Sequence, residues 1–274
     1  MDIELNGVTY SYMMRGQGPA LVLLHGFTGC KENWGFLLEK LAHQFTVITV
    51  DLIGHGQTES PESPERYIVE HACRDLNSLL TLLEINAAYF LGYSMGGRVA
   101  LAFAVLYPSR VRSLILESSS PGLLSERSRQ ERVAADELLA VEILHDGVGA
   151  FVDRWERISL FHSQKKLPLE VQEGIRTQRL RNSPIGLANS LRGMGTGSQL
   201  SYWNKLSSIQ IPVLLLCGEL DSKFCMIAED MEKCLLHSTK YRVFDAGHAI
   251  HVEQPDFFGK IVMEFLHNVI NKED

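Results

Sequence analysis

Short continuous apolar runs alternate along this chain with longer amphipathic stretches. Residues 19–24, 45–50, 89–93, 111–116, 211–217 and 241–244 are compact apolar runs that read as buried strands. Between them, residues 34–42, 65–84, 97–107 and 227–236 repeat their apolar positions at helical spacing, and 257–269 reads as a closing helix. Ser63 and Pro64 precede the longest of these as start signals. At the front, two alternating segments, 2–4 and 8–13, flank Asn6-Gly7 and predict a hairpin. Strands alternating with helices predict an α/β fold with a mostly parallel sheet flanked by helices. The alternation stops after Glu117. Residues 121–205 carry helical patterns at 131–144, 151–158 and 169–181 and no convincing strand. The expectation is a core built from residues 1–120 and 206–274, with 121–205 inserted as a helical cap.

Composition narrows the class. The 274 residues are 45% hydrophobic, enough for one large domain with an insertion. A net charge of −7 argues against a general nucleic-acid binder. No stretch reaches the roughly 18 unbroken apolar residues that span a bilayer, and the first residues lack the pattern of a signal peptide. Five scattered cysteines, with no Cys-x-x-Cys pair, predict free thiols in a cytoplasmic setting and neither a disulfide framework nor a zinc site. Nine of the sixteen arginines fall within 121–205, so that segment is basic while the remainder is acidic. This reads either as a solvated helical surface or as a basic cover over an anionic substrate.

The most informative chemistry is Gly92-Tyr93-Ser94-Met95-Gly96, set between a predicted strand and a predicted helix. That context is the nucleophile elbow, where a tight turn holds Ser94 Oγ exposed at the positive end of a helix. A serine needs a base, and the base needs an orienting acid. His248, in Ala246-Gly247-His248, follows the last strand and is the candidate base, with His251 as the neighbouring competitor. Asp221, in Cys217-Gly218-Glu219-Leu220-Asp221, follows the strand before it and is the candidate acid. Glu117, at the end of an earlier strand, is its rival, and an N-cap is the alternative role for Asp221. The turn His25-Gly26-Phe27-Thr28-Gly29 can aim the Phe27 N–H, together with the Met95 N–H, at an oxyanion. His25 and Asp51 read as structural residues. Arg98 lies one helical turn beyond Ser94 and leans back toward the site, where a buried charge calls for an anionic partner.

Together these motifs resemble the α/β-hydrolase superfamily over the whole chain. Gly92–Ala100, Pro121-Gly122-Leu123, Cys217-Gly218-Glu219-Leu220-Asp221-Ser222-Lys223-Phe224 and Ala246-Gly247-His248 are similar, more narrowly, to its 2-succinyl-6-hydroxy-2,4-cyclohexadiene-1-carboxylate synthase family. The resemblance implies a cytoplasmic lyase of menaquinone biosynthesis that removes a proton from carbon and eliminates pyruvate. It implies Ser94, Asp221 and His248 as the catalytic set, with no metal or other cofactor. It assigns substrate binding to Tyr93, Arg98, Arg132, Arg181, Trp155 and Phe161, although Arg127, Arg129, Arg176 and Arg179 lie close enough in sequence to be confused with the cap arginines. Each arginine could instead form a surface salt bridge, and each aromatic could be core packing. The expected partner is a small anionic metabolite, with no nucleic acid and no membrane, acting on a monomer or weak homo-oligomer. Two other classes fit the motifs less well: a serine hydrolase of a small ester, thioester or carbon–carbon bond, and a non-enzymatic receptor of the same fold.

Overall fold

The computed structural model describes residues 1–273. Eight strands form one sheet: β1 (Asp2–Leu5), β2 (Val8–Arg15), β3 (Ala20–Leu24), β4 (Thr46–Val50), β5 (Ala88–Tyr93), β6 (Val111–Glu117), β7 (Val213–Gly218) and β8 (Ser238–Val243). Their order across the sheet is β1-β2-β4-β3-β5-β6-β7-β8. β1 pairs with β2 and β2 with β4 in antiparallel fashion, and every other neighbour is parallel. The helices are α1 (Gly35–Leu41), α2 (Val69–Leu82), α3 (Met95–Leu106), α4 (Glu126–Trp155), α5 (Leu169–Leu180), α6 (Pro184–Met194), α7 (Ser222–Cys234), α8 (Ile250–Glu253) and α9 (Pro255–Glu273).

The continuous apolar runs are explained by burial on both faces of the sheet. In β3, Val22 and Leu24 join one core with Phe90, Val99 and Phe103, while Leu21 and Leu23 join the other with Trp34, Leu91 and Phe258. Strand β8 escapes this pattern because it is an edge. Ser238, Lys240 and Arg242 sit along it, so only its last residues look like a strand in sequence, and it begins three residues before the expected start at 241. The long helix expected over 65–84 is interrupted. A 3-10 turn over Pro64–Tyr67 precedes an extended Ile68, and α2 begins only at Val69.

Between β6 and β7 the described residues hold α4, α5, α6 and short 3-10 turns, with no strand. Ala140, Ile143, Phe151, Val152, Leu187, Ala188 and Leu191 give α4 and α6 a small core of their own, against which Phe27 and Trp155 pack. Gly147, at φ 83°, breaks α4 internally, which accounts for the two separate helical patterns in its sequence. Five of this segment's arginines are tied to carboxylates in pairs at least partly open to solvent: Arg127, Arg129, Arg154, Arg176 and Arg192. Much of its positive charge is therefore a solvated surface.

Candidate active site

The strand ends bring the candidate residues together. β5 runs into α3 through Ser94, which is held at φ 50° and ψ −107°. That strained backbone is fixed by contacts on both sides. Ser94 N–H donates to Glu117 O at 2.8 Å, and Ser94 O accepts from Arg98 N–H at 3.0 Å. The elbow also closes on itself. A Cβ at Gly92 would lie 2.5 Å from Gly97 Cα, and one at Gly96 would lie 2.5 Å from His25 O. Only glycine lets the strand, the helix and the 25–29 turn approach this closely.

The loops after β7 and β8 complete the set. His248 Nε2 lies 3.0 Å from Ser94 Oγ, and His248 Nδ1 lies 2.6 Å from Asp221 Oδ2. Asp221 is also the N-cap of α7, accepting from Phe224 N–H at 3.3 Å through its other oxygen. The contact with His248 and the N-cap coexist, because a carboxylate has two oxygens. The cap fixes one and aims the other at the imidazole. The rival acid is elsewhere engaged. Glu117 is fully buried and accepts from His251, from Nδ1 at 2.8 Å and from the backbone N–H at 3.0 Å. Tyr93 stands between the two histidines, its ring centroid 5.3 Å from that of His248 and 4.7 Å from that of His251. Burial, and then the Glu117 carboxylate, push its phenol well above the usual range, so Tyr93 stays neutral.

A cavity of about 340 Å³ opens over Ser94 and His248. Phe27 and Met95 line it on the side of the 25–29 turn, and Met95, as the first residue of α3, has no acceptor for its N–H within that helix. His25 anchors the turn: Nε2 accepts from Leu52 N–H at 3.0 Å and Nδ1 faces Gly26 O at 2.8 Å. That pattern requires a neutral ring, and burial lowers its pKa to about 4. Beside it, His55 is lowered to about 3, again chiefly by burial.

Trp155 and Phe161 form the aromatic wall of the cavity. Their ring centroids are 5.8 Å apart, and Phe161 stands edge-on to His248 at 6.3 Å. Arg98 and Arg132 form its cationic end. Arg132 Nε pairs with Asp136 Oδ1 at 2.8 Å. Arg98 has no carboxylate within ion-pairing distance among the described residues, and its Nη1 donates to Met194 O at 2.7 Å and Gln199 Oε1 at 2.6 Å. Burial, followed by the nearby Arg132 charge, lowers it to about 10, so it is still a cation at neutral pH. Two arginines therefore share one carboxylate, and the cavity end carries an unbalanced positive charge.

Arg181 does not join them. It is the exposed C-cap of α5 and lines none of the cavities described here. Arg179, two residues earlier and so turned about 200° around the helix, is the buried one. Its guanidinium lies 4.7 Å over the Phe161 ring and faces a small recess of about 50 Å³ shared with Tyr93, Gln164 and His251. Burial lowers its pKa, and Glu156 at 3.9 Å is a distant partner. The sequence signal that could have separated the two is helical phase: Ile175 and Arg179, one turn apart, both face the recess.

One group of possible metal ligands, Cys30, Glu32 and Asp51, exists among the described residues, but the Lys31 ammonium already lies 2.7 Å from Asp51 and 3.2 Å from Glu32. A cation there would have to displace a charge that is already paired. No helix among the described residues is long and apolar enough to cross a membrane.

The elbow, the chain order of the hydrogen-bonded Ser94, Asp221 and His248, and the eight-stranded sheet define the class. Residues 19–255 match the family described as the alpha/beta hydrolase fold, and the chain belongs to it. A Bacillus subtilis (strain 168) protein, provisionally named a 2-succinyl-6-hydroxy-2,4-cyclohexadiene-1-carboxylate synthase, is 48% identical over 262 residues, covering 94% of this chain and 95% of that protein. The synthase of that name from Photorhabdus laumondii is 32% identical over 257 residues, covering 93% and 87%. Among solved structures, MenH from S. aureus superposes with a TM-score of 0.91 at 37% identity, covering 95% of this chain and 98% of that one. Within the fold, the chain belongs with the 2-succinyl-6-hydroxy-2,4-cyclohexadiene-1-carboxylate synthases.

Proposed function

We propose that this protein is a carbon–oxygen lyase of menaquinone biosynthesis. It converts 2-succinyl-5-enolpyruvyl-6-hydroxy-3-cyclohexene-1-carboxylate to 2-succinyl-6-hydroxy-2,4-cyclohexadiene-1-carboxylate and pyruvate. The observation that carries the reading is the pairing, in one cavity, of a Ser-His-Asp set with a buried arginine that lacks an ion-pair partner among the described residues. An esterase for neutral substrates gains nothing from such a charge, whereas a substrate bearing several carboxylates supplies its missing anion.

In the proposed reaction, His248, oriented by Asp221, draws the proton from Ser94 Oγ. Ser94 in turn removes the ring proton from C2, next to the succinyl carbonyl. The electron pair forms the C2–C3 double bond, the C3–C4 double bond migrates to C4–C5, and the C5–O bond breaks. The departing enol oxygen takes up a proton, and the enol tautomerises to pyruvate. The enolate charge that develops on the succinyl oxygen falls to the Phe27 and Met95 N–H groups. Arg98 and Arg132 hold a carboxylate at one end, Lys223 also lines the cavity, and Arg179 is a further cation in the adjoining recess. Residues 121–205 serve as the cap that carries Arg132, Trp155, Phe161 and Arg179. No step requires a metal or an organic cofactor.

Purified protein given the enolpyruvyl substrate should release pyruvate and a ring diene in equal amounts, with no oxygen from labelled water in either product. Label in a product would mean that a hydrolytic step occurs, and the chain would then be read as an ester or carbon–carbon hydrolase.

A further inference from the structure

Among the described residues, the buried Lys31 lies 2.7 Å from Asp51, the partly buried Arg66 lies 2.8 Å from Asp75, and the buried Arg179 has Glu156 at 3.9 Å. Arg98, also buried, meets two neutral acceptors instead: the carbonyl of Met194 and the side-chain oxygen of Gln199. Gln199 is itself buried, in the turn after α6, where its N–H donates to Gly195 O at 3.0 Å. Because an arginine offers only donors, the amide must turn its oxygen toward Arg98, which leaves Nε2 pointing away. That Nε2 is buried without a partner among the described residues. As a purely structural element the arrangement is poor. A glutamate of the same shape would give Arg98 an ion pair and would leave no buried N–H₂ unsatisfied.

We propose that Gln199 is a positioning and specificity-determining residue. Its neutral oxygen fixes the direction of the Arg98 guanidinium while leaving the positive charge uncompensated for a substrate carboxylate. The amide orients without neutralising. Met194 O does the same from the end of α6, and Asp136, which accepts from Arg132 Nε, offsets only one of the two arginine charges. The carboxylate end thus accepts one anion, and position 199 decides whether that capacity exists. This inference rests on the lyase reading and deepens it by naming what keeps the anion subsite open.

The test is Gln199→Glu, followed by substrate saturation and thermal melting. A carboxylate at 199 keeps the hydrogen bond to Arg98 and adds the missing ion pair. The melting temperature should stay at or above that of the wild type, while KM rises about 10–100-fold, the range expected when a charged hydrogen bond to substrate is lost. The kcat should change by less than about threefold, because the triad is untouched. A role in packing alone would leave KM unaltered. A KM within twofold of the wild type, or a drop in melting temperature accompanied by a matching drop in kcat, would overturn the proposal. If Gln199→Glu does not accumulate as folded protein, Gln199→Met serves instead: it removes the acceptor at similar volume, and KM should rise about tenfold with kcat preserved, an unchanged KM again being decisive against it. Pyruvate release by the wild type tests the lyase reading by itself, so either idea can fail without the other.

Discussion

Two histidine–carboxylate pairs stand on either side of Tyr93, and only one of them opens onto the cavity over Ser94. His248 meets Asp221 at 2.6 Å, and His251 meets Glu117 at 2.8 Å. Both pairs are buried, and both carboxylates come from the carboxyl ends of neighbouring strands. They differ in what lies around them. The remote nitrogen of His248 faces Ser94 Oγ, at the floor of the large cavity. The His251 ring instead lies against Trp34, at 4.7 Å between centroids, and its carboxylate is further occupied by the His251 backbone N–H. Pairing with an acid orients an imidazole, but a general base also needs a proton within reach. Glu117 works in the frame instead: its carbonyl holds the Ser94 N–H, and its carboxylate holds the start of α8.

Removing the acceptor of the base's work should separate the pairs most sharply. Ser94→Ala should leave the fold intact and lower kcat by ~10³ or more, as loss of a triad member generally does. Near-normal pyruvate release by that variant would remove the distinction between the pairs. Next comes the direct comparison of acids. Asp221→Asn should lower kcat by roughly 10²–10³ by favouring the wrong imidazole tautomer. Glu117→Gln should cost less than about tenfold in kcat but lower the unfolding free energy by about 1–3 kcal/mol, since it weakens a buried hydrogen-bonded pair. Parallel kinetics and denaturant melts would settle it, and the reverse ranking would move the catalytic acid to β6.

A smaller effect sharpens the contrast between a buried and an exposed cation on one helix. Arg179→Ala should raise KM by about 10-fold or more, on the scale of one charged contact, whereas Arg181→Ala should change it by less than about twofold. Equal effects would mean that α5 rotates on binding.

Acid should act on the turn that carries Phe27. His25 is held neutral in the fold, at about 4, while an unfolded histidine titrates near 6.5. Between those values the unfolded chain binds the extra proton, so stability falls as the pH drops from about 6.5 to about 4. His55, lowered to about 3, extends the same trend. Denaturant titrations across this window should show the loss, on the order of a few kcal/mol from these two groups together. A His25→Gln variant should show a shallower slope, because its amide does not titrate.

The residues whose placement was legible in the sequence are those for which one short stretch of chain sets the geometry. The elbow is such a stretch, because Gly92 and Gly96 announce the close approach that the backbone makes around Ser94. Asp221 and His248 were readable because each follows a strand closely. Arg98 was readable because one helical turn separates it from Ser94. Residues 121–205 were less legible. Whether Arg179 or Arg181 faces inward depends on the phase of α5, marked in the sequence only by Ile175 one turn before Arg179, and on a contact with Phe161 that has no local signature. Gln199 carried no signal at all, since its partner lies 101 residues earlier in the chain. The edge strand β8 was half hidden for a related reason: its burial comes from one side only, so its polar positions masked its start.

The uncompensated Arg98 also makes the empty protein a reporter of its own occupancy. A buried guanidinium without a counter-ion among the described residues leaves the fold less stable than it could be, and any anion that seats there adds stability in proportion to its affinity. At a hundred times its dissociation constant, such an anion contributes about 2.7 kcal/mol, which in a protein of this size is a shift of several degrees in melting. A panel of mono-, di- and tricarboxylates, compared by melting temperature alone, would therefore rank the anions that fit the cavity without any turnover being measured. The same panel on Arg98→Ala would fall flat wherever that side chain is the point of attachment.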